Sequence, residues 1–300
     1  MNSSPRAVAV LRGGLGNQLF QYAAALSIAT DHDPAAVKIV SYGNEWGPDH
    51  PDLSSLAGLP IEYPDRRMRS TLPVVAVHES WRDAVSQALA RTLSHLTRTH
   101  LIRQDDPFAP RIHPKPGAKI VVLHGFFQNR EWWLPTWKVV ARMLNEHRPK
   151  SLDHLRGEGR TAIKLRRSDY LGRGILLTDD FYRTALDRLA IRDREVFVVC
   201  EDSDYLPHFA RLLAERGCFL KVPEPITGNP NVDDFWHLAA ARVQILANSS
   251  YCWWAAAVAR VAMDGTRVAY PTPWLPNAWS ECPVPDMGLP DWVAAQTEFV

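Results

Sequence analysis

Short apolar runs alternate with longer stretches of helical periodicity along the chain. The runs at 7–11, 37–41, 119–124, 161–166, 195–200, 218–222, 243–247 and 266–270 read as strands. Between them, 17–30, 80–101, 130–146, 179–191, 204–216, 233–241 and 250–260 read as helices. In 80–101 the stripe Trp81, Val85, Leu89, Leu93 and Leu96 predicts a core-facing helix. Strands that are apolar throughout and alternate with helices belong in parallel sheets covered on both faces. Residues 43–73 are rich in Pro, Gly and Asp and read as an irregular excursion, and 147–160 as a polar linker. The reading is therefore two α/β domains, 1–152 and 153–300, with a cleft between them as the default ligand site. The proline-rich stretch 271–290 reads as ordered coil returning over the body.

Composition narrows the class. Lys and Arg number 34 against 33 Asp and Glu, so the net charge is +1. A near-neutral chain gives no reason to expect nucleic acid as a partner. No apolar stretch approaches the ~20 residues that cross a bilayer, and no secretory signal is visible. Contact at a membrane periphery and the oligomeric state are left open. Cys200, Cys218, Cys252 and Cys282 show no metal-ligand spacing, which fits reduced thiols in the cytoplasm.

The candidate chemistry lies at strand ends. After the first strand comes Arg12-Gly13-Gly14-Leu15-Gly16-Asn17-Gln18-Leu19-Phe20-Gln21-Tyr22. A glycine turn opening a helix suits an anion, but Leu19 stands where a dinucleotide fingerprint wants Gly or Ala. A phosphate or sugar contact through Gly14, Gly16, Asn17 and Gln18 and a plain strand-to-helix turn explain it equally well. Lys164-Leu165-Arg166-Arg167-Ser168-Asp169-Tyr170 gathers cations at a strand end, where guanidinium forks match a diphosphate. Alternation along the strand predicts that Arg166 and Arg167 point opposite ways, one to the ligand and one to an acidic neighbour; a surface ion-pair cluster is the plain alternative. Ala247-Asn248-Ser249-Ser250-Tyr251-Cys252-Trp253-Trp254 opens a helix, where capping and phosphate binding are both served. Trp253 and Trp254 read as core before sugar platform. Glu201-Asp202-Ser203-Asp204 contains an Asp-x-Asp, a weak signal for a divalent cation.

Together these residues resemble glycosyltransferase family 11, the α-1,2-fucosyltransferases. Gly13 to Ala23 is similar to that family's opening motif, Lys164 to Tyr170 to its His-x-Arg-Arg-x-Asp-Tyr, and Ala247 to Trp254 to its Ala-Asn-Ser-Ser-Phe-Ser-Trp-Trp. Lesser echoes are Gly125-Phe126-Phe127-Gln128, Glu201-Asp202 for a Ser-Asp-Asp, and Pro271-Thr272-Pro273-Trp274. The resemblance implies a GT-B-like fold of two Rossmann-like domains with parallel sheets facing a central cleft. It implies inverting transfer of L-fucose from GDP-β-L-fucose to a glycan or glycoside hydroxyl, with an α-1,2 linkage to galactose and without metal or other cofactor. It assigns Arg166 to the β-phosphate, Ser249, Ser250 and Asn248 to the donor side with Asp202 and Lys164, and Asn17 and Gln18 to the reacting sugar. Asp169 is the candidate base, with orientation of Arg166 or Arg167 as its other role; Asn17 is the alternative for orienting the acceptor. Two positions depart from the pattern: Lys164 stands for His and Cys252 for Ser. They keep two other readings in play, a different nucleotide-sugar donor and a non-catalytic nucleotide- or carbohydrate-binding protein, while the Asp-x-Asp keeps a third, a metal-dependent transferase using Asp202 and Asp204.

Overall fold

A computed structural model of the chain describes residues 6–41, 53–61, 98–155 and 159–300. The chain divides into two compact units, residues 1–140 and 141–300. Both are α/β, and every strand pair within their sheets is parallel.

In the first unit, β1 (Arg6–Leu11), β2 (Val37–Ser41), β3 (Thr99–Gln104) and β4 (Ile120–Gly125) form a sheet in the order β2-β1-β4-β3. Central β1 is buried from Ala7 to Leu11, as continuous hydrophobicity demands of a strand covered on both faces. Helix α1 (Leu15–Ile28) packs on β1 and is buried almost all round. The short α2 (Leu53–Ala57) leans on it. The helix expected over 80–101 lies mostly outside the described residues, but its last residues are strand: Thr99 to Leu101 pair with Ile120 to Val122. A 3.6-residue stripe running into Thr-His-Leu-Ile could not reveal that β4 had an open edge to fill. The helix expected over 130–146 is two, α3 (Arg130–Trp133) and α4 (Trp137–Glu146). Pro135 cannot donate within a helix, and the break lets the Thr136 hydroxyl donate to the Ala23 carbonyl, 2.8 Å away.

In the second unit, β5 (Thr161–Leu165), β6 (Glu195–Cys200), β7 (Phe219–Lys221), β8 (Val243–Ile245), β9 (Arg267–Thr272) and β10 (Val293–Gln296) form a sheet in the order β7-β6-β5-β8-β9-β10. Counted from β5, that order is third, second, first, fourth, fifth, sixth, the doubly wound arrangement of nucleotide-binding folds. The flanking helices are α5 (Asp179–Arg188), α6 (Leu206–Ala214), α7 (Pro230–Ala239) and α8 (Ser250–Ala262). The edge strand β10 escapes the sequence pattern because it is four residues long and owes its form to pairing with Ala269–Thr272. Trp253 and Trp254 are fully buried, 4.9 Å apart edge to face, and serve the core.

Candidate functional site

Strand order reverses beside β5, where β6 lies on one side and β8 on the other. In open parallel sheets the crevice at the carboxyl ends of two such strands receives the ligand. Lys164 to Tyr170 leave β5 there, and Leu246 to Ser250 leave β8 there. Two motifs separated by some 80 residues in sequence therefore meet at one place. Contacts bear this out: the Tyr170 hydroxyl donates to the Asn248 carbonyl at 3.0 Å.

The two arginines diverge, as strand alternation requires. Arg167 turns to Asp202, with Nε 3.0 Å from Oδ2, and its guanidinium lies 3.5 Å from the centre of the Tyr205 ring. The Tyr205 hydroxyl in turn donates to Asp179, which also meets His208. Arg167 is thus held at its edge by Asp202 and on one face by Tyr205. Arg166 turns the other way: Nη2 donates to Asp169 Oδ2 at 2.8 Å, and the guanidinium lies 5.5 Å from the Tyr170 ring. Its Nε is buried without a hydrogen-bond partner among the described residues, with Glu201 Oε1 3.8 Å away. Burial pulls the Arg166 pKa down, but Tyr170, Asp169 and Glu201 outweigh it, so the guanidinium stays firmly charged. Asp169 orients Arg166 through Oδ2, while its Oδ1 makes no hydrogen bond among the described residues.

Lys164 is 4% exposed and its ammonium donates to Glu201 Oε2 at 3.0 Å. Its charge is engaged inside the protein. Asp202 is likewise occupied by Arg167. Among the described residues, no group of three or more His, Cys, Asp or Glu is arranged to hold a metal.

Ser249 stands at the N-cap of α8 in extended backbone (φ −127°, ψ 125°), and its hydroxyl makes no capping bond. Ser250 begins the helix, whose first amides and dipole form an electropositive end. Asn248 is 3% exposed and its amide nitrogen donates to the Ile175 carbonyl at 2.9 Å, which ties the 170–175 loop to the helix start. Cys252 is buried with Sγ 3.2 Å from the carbonyls of Ala247 and Ser249. A serine there could donate to the same carbonyls, so this departure keeps the local bonding. Burial pushes the Cys252 thiol up to about 12, leaving it inert.

In the first unit, the glycine turn is locked from behind. Gln21 accepts from the Arg12 amide and donates to the Arg12 carbonyl. Gln18 donates to the Gly13 carbonyl at 2.9 Å and accepts from the Leu53 amide at 3.2 Å. Both ends of the Gln18 amide are spent within the unit. Asn17 accepts from Gln128 Nε2 at 2.8 Å, joining the first motif to the Gly125–Gln128 segment. Gly13 has φ +70°, where a side chain is strained. Gly14 differs: its φ is −68°, and a Cβ there would meet nothing within 4 Å. Gly16 is buried in the first turn of α1.

Sequence reading passed over Asp234. It lies on α7, and burial raises its carboxyl pKa, with Lys164, Glu201 and Asp233 as its charged neighbours. Next to it, Asp233 accepts from the Ile226 and Thr227 amides, both at 2.8 Å. The available signal was a pair of carboxylates in the first turns of a largely apolar helix.

No protein-family model matches the chain. An α-1,2-colitosyltransferase of Escherichia coli is 22% identical over 297 residues, covering 92% of this chain and 96% of that one. Among solved structures, a variant of Arabidopsis thaliana FUT1 in complex with GDP superposes with a TM-score of 0.49 at 11% identity, over 86% of this chain and 70% of that one. The fucosyltransferase NodZ from Bradyrhizobium gives 0.42 at 16% identity, over 84% and 91%. The curated relative is a glycosyltransferase by name, and this is the class that the three strand-end motifs imply.

Proposed function

We propose that the chain is an inverting, metal-independent glycosyltransferase that moves a 6-deoxy-L-galactose unit from a GDP donor to a glycan or glycoside hydroxyl, forming an α-1,2 linkage. One observation carries the reading: Arg166 and the start of α8 flank the strand-order reversal of a doubly wound sheet. The likeness of the three motifs to the α-1,2-fucosyltransferases, and the end-to-end similarity to a colitosyltransferase, support it.

When the bond from the sugar carbon to the diphosphate breaks, charge builds on the β-phosphate. Arg166 and the amides at Ser249 and Ser250 receive that charge. Preorganised donors of this kind act without reorganising during the reaction. Arg167, clamped by Asp202 and Tyr205, braces the loop and leaves the ligand to Arg166. The acceptor hydroxyl attacks the opposite face of the sugar and loses its proton. Asp169, at the strand-end loop beside Arg166, is the candidate to take that proton, or only orients Arg166 if departure of the leaving group dominates. Gly14, which neither backbone angle nor packing requires to be glycine, leaves a bare surface on the first unit, with Asn17 beside it. Gln18 shapes that turn and does not reach the ligand.

The curated relative favours a second donor. Colitose is L-fucose without its 3-hydroxyl, so one missing hydrogen-bond partner separates the two donors. A thermal-shift screen tests both against UDP- and CMP-sugars. A bound donor at ~100 times its Kd adds about 2.7 kcal/mol of stability. Stabilisation by GDP-fucose or GDP-colitose alone, followed by GDP release when galactosides are supplied, is the expected result. Stabilisation by a UDP-sugar would refute the donor assignment; GDP-sugar binding with no turnover on any acceptor would leave a binding protein.

A further inference from the structure

Lys164, which stands where the resembling family has histidine, meets Glu201 in space. Glu201 Oε2 receives the Lys164 ammonium at 3.0 Å. Glu201 Oε1 receives the Arg167 amide at 2.9 Å and the Ser168 hydroxyl at 3.4 Å, and lies 3.8 Å from Arg166 Nε. One carboxylate thus touches the residues on either side of Leu165–Arg166 and faces the guanidinium itself. Its own side chain is 24% exposed and that of Lys164 only 5%.

We infer that Glu201 is a positioning residue: anchored by Lys164, it sets the backbone at Arg167 and the guanidinium of Arg166 for the donor's diphosphate. This rests on the nucleotide-sugar reading above. The physical case is one of charge balance. Lys164 and Arg166 leave the same strand end two residues apart, and Asp234 is pushed toward its neutral form by burial. Glu201 is the anion that lies between the two cations. Burial opposes its charge, but Lys164, the Arg167 amide and Arg166 prevail and hold its carboxyl below the ordinary range. Lys164 then serves the donor through Glu201 and not by direct contact.

The test is GDP affinity by calorimetry on the full chain, with melting temperature measured alongside. The wild type is expected to bind GDP. Glu201→Gln removes the charge but not the shape, and is expected to weaken GDP by about tenfold or more, a loss of at least ~1.4 kcal/mol. Lys164→Met/Glu201→Gln removes both charges and is expected to bind no worse than Glu201→Gln alone, because coupled groups are non-additive. A merely structural role would lower the melting temperature without this pattern in affinity. If Glu201→Gln does not fold, Glu201→Asp keeps the charge on a shorter arm and is expected to bind GDP at least threefold more weakly. GDP affinity within twofold of wild type in folded Glu201→Gln, or in Glu201→Asp in its place, or a double variant that binds more weakly than Glu201→Gln, would overturn the inference while leaving the donor assignment intact. A wild type that binds no GDP would overturn both.

Discussion

Replacing Arg166 by alanine separates function from folding. The Arg166–Asp169 pair is about one-third exposed on each side, at 34% and 32%. Pairs of that exposure contribute about 0–1 kcal/mol to stability, and the Tyr170 ring adds about 0.5–1 kcal/mol more. The fold should therefore survive the change with a melting temperature only a few degrees lower. The cost to transfer is larger. A guanidinium fork that makes two charge-assisted bonds to a diphosphate contributes roughly 1.5–3 kcal/mol through each. Losing both costs about 3–6 kcal/mol, or roughly two to four orders of magnitude in rate. The assay is GDP release with donor and a galactoside acceptor, read as kcat/KM, with circular dichroism to confirm the fold. Arg166→Lys keeps the charge without the fork and should fall between the two. Retention of more than about a tenth of wild-type kcat/KM in Arg166→Ala, a loss under ~1.4 kcal/mol, would refute the assignment.

Transfer should persist in EDTA, because Asp202 is engaged by Arg167 and Glu201 by Lys164; loss with chelator and rescue by Mn²⁺ would instead support a metal site at Asp202 and Asp204. Gly13→Ala should destabilise the protein by about 1–2 kcal/mol in urea unfolding, since φ is +70° and the new Cβ would stand 2.9 Å from Asn17 Nδ2; an unchanged midpoint would contradict the strained turn. His237 should make stability pH-dependent. Arg160 can only donate, so Nδ1 accepts from it at 2.9 Å and Nε2 donates to the Glu224 carbonyl at 2.7 Å. Burial, with Arg160 adding to it, lowers the His237 pKa below 6.5. Its contribution is therefore complete above pH 6.5 and is lost as pH falls from there through the folded-state value. Melting temperatures should drop over that window more steeply in wild type than in His237→Gln; equal slopes would refute this.

Much was legible in the residue order. Buried strands such as Ala7–Leu11 and Val121–Leu123 must be apolar on both faces, and that continuity marks a parallel sheet before any coordinates exist. Glycine at 13 and serines at 249 and 250 mark a turn and a helix start because backbone angles and unpaired amides impose those residue types locally. The division of labour between Arg166 and Arg167 followed from alternation, but not which of them is clamped: Tyr205 and Asp202 reach Arg167 only because β6 pairs with β5. Strands β3 and β10 were invisible, since four to six residues acquire strand form from an available neighbour edge and not from their own pattern. The Lys164–Glu201 bridge and the half-buried Asp234 belong to the same class of fact. Charge balance inside a fold depends on which strand ends the sheet order brings together, and distances of 3 Å between residues 37 positions apart are set by packing, beyond the reach of local sequence.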